Sequence, residues 1–333
     1  MKRRKFLLST AGVALGALAV PSPAQAFSEA PTLVTDPPAA ERDFVRWLSI
    51  HDPRATVRSV ARTALLSSDG AAAITAFLAS GYASAATRAA ETRARQLDYA
   101  TRMADTHPAQ YYPWVNATAR RAANGTDTEL ADYSSTGYAA ALKNDNAQIP
   151  YDDGAALVTE DDRELVSGVA DADPSLVVRD RAAGVTTDAE VAEFLRYGWL
   201  SAAGIATDEF RAQYVADERS LWSEARQQTA TAVAVAATNP VAAIQLWYSV
   251  RTRFAPLPTG WTARQRYALA RSDDWRRTVQ TAAASASPLW APLAARGPAL
   301  STQWYAEVTN AADQAAWWTA LLQYAQAAAS VRP

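Results

Sequence analysis

A pattern of residues recurs three times in the first two-thirds of this sequence. Each copy begins with a Ser-Asp or Thr-Asp pair, reaches an aromatic residue and then a glycine four residues later, and ends on a second aromatic residue directly after the glycine. The shared positions are Asp69, Phe77, Gly81 and Tyr82; Asp127, Tyr133, Gly137 and Tyr138; and Asp188, Phe194, Gly198 and Trp199. Repetition on this scale is typical of stacked helical units, which often build a surface for partners. It predicts an all-α fold that is solenoid-like in the repeated part.

Local signals around the pattern predict the helices of each unit. An apolar residue stands twelve positions before each Asp, at Val57, Val115 and Leu176, and is expected on the buried face of a short helix. The Ser-Asp or Thr-Asp pair should cap the next helix, and Thr126 and Thr187 are each followed three residues later by the Glu of a capping box. The three glycines are predicted to end that helix in a left-handed conformation, with the following aromatic residue packed over the turn.

The three units resemble a known family of repeats. Residues 57–86, 115–141 and 176–203 are similar to the short alanine-, leucine- and phenylalanine-rich ALF repeats of secreted actinobacterial proteins. The resemblance covers residues 40–208. It implies a curved helical scaffold that holds other secreted proteins, as such repeats are implied to do in umbrella-shaped toxin particles. It does not account for the irregular spacing of the units or for the remainder of the chain.

The pattern stops after residue 208, where a second domain, 209–333, is predicted. Helical spacing continues there, and eight of the eleven tryptophans lie in this part, which predicts a Trp-rich helical bundle. Adjacent helical positions point about 100° apart. At least one member of each adjacent aromatic pair should therefore lie away from the core and is a candidate contact for a partner or ligand. The pairs are Trp247-Tyr248, Trp304-Tyr305 and Trp317-Trp318. The alternative is that these rings form an aromatic core, since alanine contributes little buried area.

Residues 1–26 are typical of an export signal. Lys2-Arg3-Arg4-Lys5 precedes an apolar run and the exit Ala24-Gln25-Ala26, and the paired arginines resemble a twin-arginine signal. Removal of this segment leaves a repeat domain at 27–208 and 28 basic against 34 acidic residues. This acidic balance argues against nucleic acid as a partner. We expect a secreted, extracellular protein without stable membrane insertion, and the scarcity of lysine beside abundant arginine and alanine fits an actinobacterial genome.

The sequence assigns no catalytic, cofactor-binding or metal-binding residue. Cysteine is absent and only His51 and His107 could serve as imidazole bases or ligands, so no cofactor and no zinc site are expected. Three acidic doublets occur, and a magnesium site of a helical cyclase requires a third acid at i+3 or i+4 on the same helix face. Two of the doublets lack that acid, and the one at Asp161, which has Glu164 beside it, stands at the start of a repeat helix, where acids suit the helix dipole. The doublets are Asp152-Asp153, Asp161-Asp162 and Asp273-Asp274.

Three functional hypotheses follow. The preferred one is a non-enzymatic scaffold or adaptor whose repeat face binds secreted proteins, with an antibacterial toxin assembly as the setting that the resemblance suggests. The first alternative is an exported all-α enzyme of the cyclase or lyase type with an aromatic-lined, carboxylate-using site in the C-terminal bundle. The second is a small toxin formed by residues 210–333. The partner and any small-molecule ligand are not identified by the sequence.

Overall fold

The computed structural model describes residues 31–330, which form an all-α fold without a strand among them. The export signal predicted at 1–26 lies outside these residues. No helix between residues 31 and 330 combines the length and the apolar character that crossing a membrane requires.

The helices follow one another with short connections. The first part contains α1 (Thr32–Thr35), α2 (Pro37–His51), α3 (Ala55–Leu66), α4 (Ala71–Ala76) and α5 (Tyr82–Thr106). The middle contains α6 (Pro113–Ala123), α7 (Asp127–Asp132), α8 (Tyr138–Asn146), α9 (Glu160–Ala172), α10 (Leu176–Ala183), α11 (Asp188–Glu193) and α12 (Trp199–Ala236). The last part contains α13 (Pro240–Phe254), α14 (Leu257–Ala284) and α15 (Ala291–Ser330). Short 3₁₀ turns occur at Ala155–Leu157 and Pro288–Trp290.

The three repeated glycines do not end helices, so that prediction is wrong. Each is the last residue of a π-helical turn that joins two α-helices into one continuous helix: Phe77–Gly81, Tyr133–Gly137 and Phe194–Gly198. The glycines have φ near −60° rather than a left-handed conformation. In each turn the amide of the second aromatic residue donates to the carbonyl of the first, five residues earlier. The extra residue turns both aromatic side chains of a pair toward the same side of the helix.

The glycines are explained by the ring that lies beside them. A Cβ at Gly137 would come within 3.2 Å of Cδ2 of Tyr133, and the corresponding distances at Gly198 and Gly81 are 3.3 and 3.4 Å. The first aromatic ring of each pair therefore packs against the space that a side chain at the glycine position would enter. The two aromatic rings of each pair lie close together, with centroids 5.9 to 6.5 Å apart in the three units.

Of the other local predictions, some are confirmed and some are wrong. Capping boxes are present at Thr126 and Thr187, and these predictions are confirmed. The pair Ser68-Asp69 does not cap α4, because Gly70, with φ of 55°, precedes that helix and no side chain bonds to its first turn. Val57 and Val115 are fully buried, but Leu176 is 61% exposed and Val178 occupies the buried position in the third unit.

The boundary predicted between residues 208 and 209 falls inside α12, so the structure has no break there. Two large hydrophobic clusters both use residues from each side of it. Tyr214 lies in one cluster with Leu48, and Trp199 lies in the other with Trp275. α12, a helix of 38 residues, contributes to both clusters, because different stretches of it pack against different neighbours.

A third, small cluster belongs to the second unit alone. Its buried members are Ala100, Ala104, Ala119, Ala122, Leu130 and Tyr133. The partly buried hydrophobic residues packed against it lie between Leu97 and Tyr138. The α6–α8 segment thus makes its apolar contacts with itself and with the end of α5.

The C-terminal aromatic pairs follow the helical geometry. Trp247, Trp304 and Trp318 are at most 3% exposed, whereas Tyr248 and Tyr305 are 54% and 61% exposed. The three buried tryptophans are therefore part of the core. Trp317 is partly buried against the cluster that contains Trp247 and Trp318, and its ring is perpendicular to that of Trp318, with centroids 4.7 Å apart.

Candidate partner-binding groove

A long groove runs between α5 and α12. α5 and α12 have little direct contact with each other, because α5 packs mainly against α3 and α6, and α12 mainly against α10 and α13. The space between α5 and α12 is the groove. The groove has two connected lobes, of about 660 and 720 Å³, which share Pro53, Arg93, Thr126, Asp127 and Asp208. The second lobe is also lined by α15, with residues such as Arg296 and Leu300. We call the two lobes together the α5–α12 groove.

The walls of the first lobe are made of small apolar residues. Ala83 and Ala86 line it from α5, and Ile205, Ala212 and Ala216 line it from α12. Their spacing of three, four or seven residues places each set along one face of its helix. Alanine side chains on facing helices leave room between them, and this room is the groove.

Tyr82 forms the polar end of the first lobe. The guanidinium of Arg219 lies 3.4 Å from the centre of its ring, and Arg54 donates a hydrogen bond to its hydroxyl. Arg54 is held in turn by both carboxylate oxygens of Asp52, at 2.9 and 2.7 Å. Burial raises the pKa of the Tyr82 hydroxyl. The second aromatic residue of the first unit therefore has a place on the groove wall as well as in the core.

Asp208 lies where the two lobes meet. It is half-buried on α12, and its carboxylate accepts no hydrogen bond and forms no ion pair with any residue between 31 and 330. Burial raises its pKa to about 6, in spite of the opposing effect of Arg211, Arg58 and Arg93. The nearby Asp127 raises the pKa further. Asp208 thus presents a carboxylate without a bonded partner to both lobes of the groove.

No protein-family model, curated protein or solved structure matches this chain. The similarity to ALF repeats therefore stays a prediction that depends on the residues quoted for it.

A second groove, of about 760 Å³, separates the second and third units. Polar contacts cross it. Arg121 donates two 2.8 Å hydrogen bonds to Glu193 and stacks on Tyr197 at 3.3 Å, and Arg181 donates to the carbonyl oxygen of Asn124 at 2.6 Å. These contacts hold the α6–α8 segment over the third unit without an apolar interface between them in the three clusters described.

The structure places the predicted residues at several different sites. Tyr82 and Asp127 line the α5–α12 groove, and Gly198 lines the second groove. Asp188 lies on the surface, where both its carboxylate oxygens accept from Arg163 at 2.8 and 2.9 Å. The remaining repeat positions line neither groove: Asp69, Gly81, Gly137, Tyr138 and Trp199. The three C-terminal aromatic pairs also lie away from both grooves.

Sequence reasoning missed Asp208 and the alanine walls. A signal for them was present, because positions 205, 208, 212, 216 and 219 of α12 are spaced by three or four residues and form one stripe. Alanine is abundant throughout the chain, so this stripe did not stand out before the facing helix was known.

Two carboxylates lie inside the aromatic core of the C-terminal part. Glu218 accepts hydrogen bonds from the indole N–H groups of Trp318 and Trp261, at 2.9 and 3.2 Å. Glu307 accepts from Arg211 at 2.7 Å and from the Tyr214 hydroxyl at 2.8 Å. Neither carboxylate lines a groove described here. Within residues 31–330, no group of three or more His, Asp and Glu side chains is arranged to hold a metal ion.

Proposed function

We propose that this protein is a secreted, non-enzymatic scaffold that binds a segment of another secreted protein in the α5–α12 groove. The ALF-like repeats make an antibacterial toxin assembly the setting that we propose for this partner. The signal-like residues 1–26 support export, although they lie outside the described part of the chain.

The observation that supports the proposal most is the position of the groove. It is lined by the first unit, the second unit, α12 and α15, and its lobes of about 660 and 720 Å³ are large enough to receive side chains of a polypeptide. The C-terminal bundle, where an enzyme site was the alternative, is instead filled by Trp261, Trp304 and Trp318, each at most 1% exposed. An open surface along the repeats beside a packed bundle favours binding over catalysis.

A substitution that fills the groove tests the proposal. Ala212 is exposed on the groove wall, so Ala212→Trp should block a bound segment without disturbing the core. Ala230 is also exposed on α12 but lies away from the grooves, and Ala230→Trp is the matched control. Tagged protein is recovered from the culture medium of the source organism, and the proteins that copurify are identified by mass spectrometry.

We expect a partner that copurifies with the wild type and with Ala230→Trp, and that is lost with Ala212→Trp. Unchanged melting temperatures of the three proteins would show that the loss is local. Recovery of the wild type as a monomer, or a partner retained equally by all three, would contradict the proposal.

A further inference from the structure

The charge at the centre of the α5–α12 groove identifies the chemistry of the segment that would bind there. Asp208 has a carboxylate at the junction of the two lobes, with acceptor capacity that no described residue uses. An ionised carboxylate is only an acceptor. A ligand group that bonds to it must therefore be a donor.

The arginines around Asp208 do not fill this capacity. Each guanidinium is bonded to a different acceptor. The pairs are Arg58 with the carbonyl oxygens of Asp52 and Pro53, at 2.7 and 2.6 Å; Arg93 with Asp127; and Arg211 with Glu307, at 2.7 Å. None of the three guanidinium groups lies within hydrogen-bonding distance of Asp208, so its carboxylate remains without a bonded partner among the described residues.

The surroundings limit the shape of the incoming group. Beside Asp208 the wall of the first lobe is formed by Ile205 and Ala212 of α12 and by Ala86 of α5. This stretch of the wall accepts small or flat apolar surface. Arg54 and Arg219 of the same lobe lie at its Tyr82 end, where both contact the tyrosine. A long side chain with an apolar stem and a cationic end fits both features.

We infer that the segment bound in this groove carries an arginine or lysine whose cationic end pairs with Asp208 while its stem lies along the alanine walls. This inference rests on the proposed function and specifies the partner for the same site. A guanidinium would donate two parallel hydrogen bonds to the carboxylate, which is the stronger and more specific of the two arrangements.

Peptides selected from a random displayed library test the inference without knowledge of the natural partner. Selection on the wild type is followed by removal of every peptide that still binds Ala212→Trp, so that only peptides bound in the groove remain. We expect these peptides to share one arginine or lysine. Replacement of that arginine by citrulline, or of the lysine by norleucine, should weaken binding at least about tenfold.

Asp208→Asn should weaken the same peptides by a similar factor. With the citrulline peptide it should cause little further loss, because both changes remove one interaction. Glu91→Gln is the matched control, since Glu91 is an exposed acid on α5 that lines neither lobe, and its effect should stay within about twofold. Circular dichroism and melting of Asp208→Asn confirm that the variant folds.

The pH dependence gives a second readout. Four charged groups face Asp208: Arg211 of α12, Arg58 of α3, Arg93 of α5 and Asp127 of α7. With these in place the free carboxylate has a pKa of about 6, so wild-type affinity for the cationic peptides should fall as the pH is lowered from 7 to 5. The same titration should be flat for Asp208→Asn.

Groove-bound peptides that share no cationic residue, or equal binding by wild type and Asp208→Asn, would overturn the inference. Binding of the natural partner to the two variants distinguishes a failure of this inference from a failure of the proposed function. A partner lost with Ala212→Trp but kept by Asp208→Asn would preserve the groove as a binding site and refute the role of Asp208. A library that yields no groove-bound peptide would count against both.

Discussion

The indole N–H of Trp318 donates a 2.9 Å hydrogen bond to Glu218, a carboxylate that is only 2% exposed and has no ion-pair partner among residues 31–330. Trp261 donates a second hydrogen bond to the same group. Two neutral donors stabilise the charge less than a bonded cation would, and burial raises the pKa of Glu218 to about 7.

Glu218 should make the protein less stable as the pH rises. Its carboxyl group holds a proton up to about pH 7 in the folded protein, whereas the unfolded chain releases it near 4.5. The free energy of unfolding should therefore fall by about 3 kcal/mol through this group between pH 4.5 and 7. In Glu218→Gln this part of the fall should be missing. Urea unfolding at pH 5 and pH 8 measures it, and Glu209→Gln, at an exposed position, should behave like the wild type. Parallel curves for wild type and Glu218→Gln would contradict the prediction.

His51 should act in the opposite direction. Burial lowers its pKa from 6.5 to about 4, with Arg211 adding to the effect and Glu307 opposing it. The unfolded chain binds this proton below pH 6.5 and the folded chain binds it only near pH 4, so stability is lost as the pH falls between these values. His51→Phe can keep the stacking on Trp47 and removes the titration. We expect the variant to gain about 2–3 kcal/mol relative to the wild type between pH 6.5 and 4. Chemical unfolding at four pH values measures this gain, and a constant difference across the range would rule it out.

Two helical glycines should respond oppositely to alanine. Gly297 lies where α15 approaches α14 closely, and a Cβ there would come within 2.5 Å of Val279 Cγ2. Gly297→Ala should destabilise the protein by about 1–3 kcal/mol through overpacking. Gly168 lies within α9, and nothing stands within 4 Å of a Cβ placed on it. Gly168→Ala should stabilise by up to about 1 kcal/mol, because alanine favours helix. Thermal melts of the pair measure both, and effects of equal sign would show that the close approach is not limiting.

The α6–α8 segment should open when its contact with the third unit is removed. Arg121 provides both the paired hydrogen bonds to Glu193 and the stacking on Tyr197. In Arg121→Ala we expect faster hydrogen exchange across α6–α8, with little change in α13–α15, because the small cluster of this segment packs only locally. Arg102→Ala removes an exposed pair with Asp98 on α5 and serves as the control. Exchange that rises equally throughout the chain would show that the segment is not a separate unit.

Much of the secondary structure was predictable from local sequence. The all-α class and the capping boxes at Thr126 and Thr187 depend on spacing along one chain, and both are confirmed. The role of the glycines was not predictable in the same way. A glycine four residues after an aromatic residue is compatible with a helix end and with a π-helical turn. Which of the two forms depends on whether both aromatic residues that flank the glycine can pack into a core, and this is a tertiary property.

The candidate site was the least predictable part. Asp208 has no distinguishing neighbour in the sequence, and its properties arise from α3, α5 and α7, which are distant along the chain. The predicted division at residue 208 falls inside α12 for a related reason. The end of a repeated pattern marks a change in which neighbours a helix meets, and α12 continues through that change without ending.

The π-helical turn at Phe194–Gly198 sets the angular phase of everything that follows it on α12. Each residue of an α-helix advances the direction of its side chain by about 100°. Loss of one residue from this turn would rotate Tyr214 out of its core position and carry Asp208 off the groove in the same movement. The directions of both the core residues and the groove-lining residues of α12 thus depend on a single inserted residue, so insertions and deletions here should be tolerated far less well than substitutions.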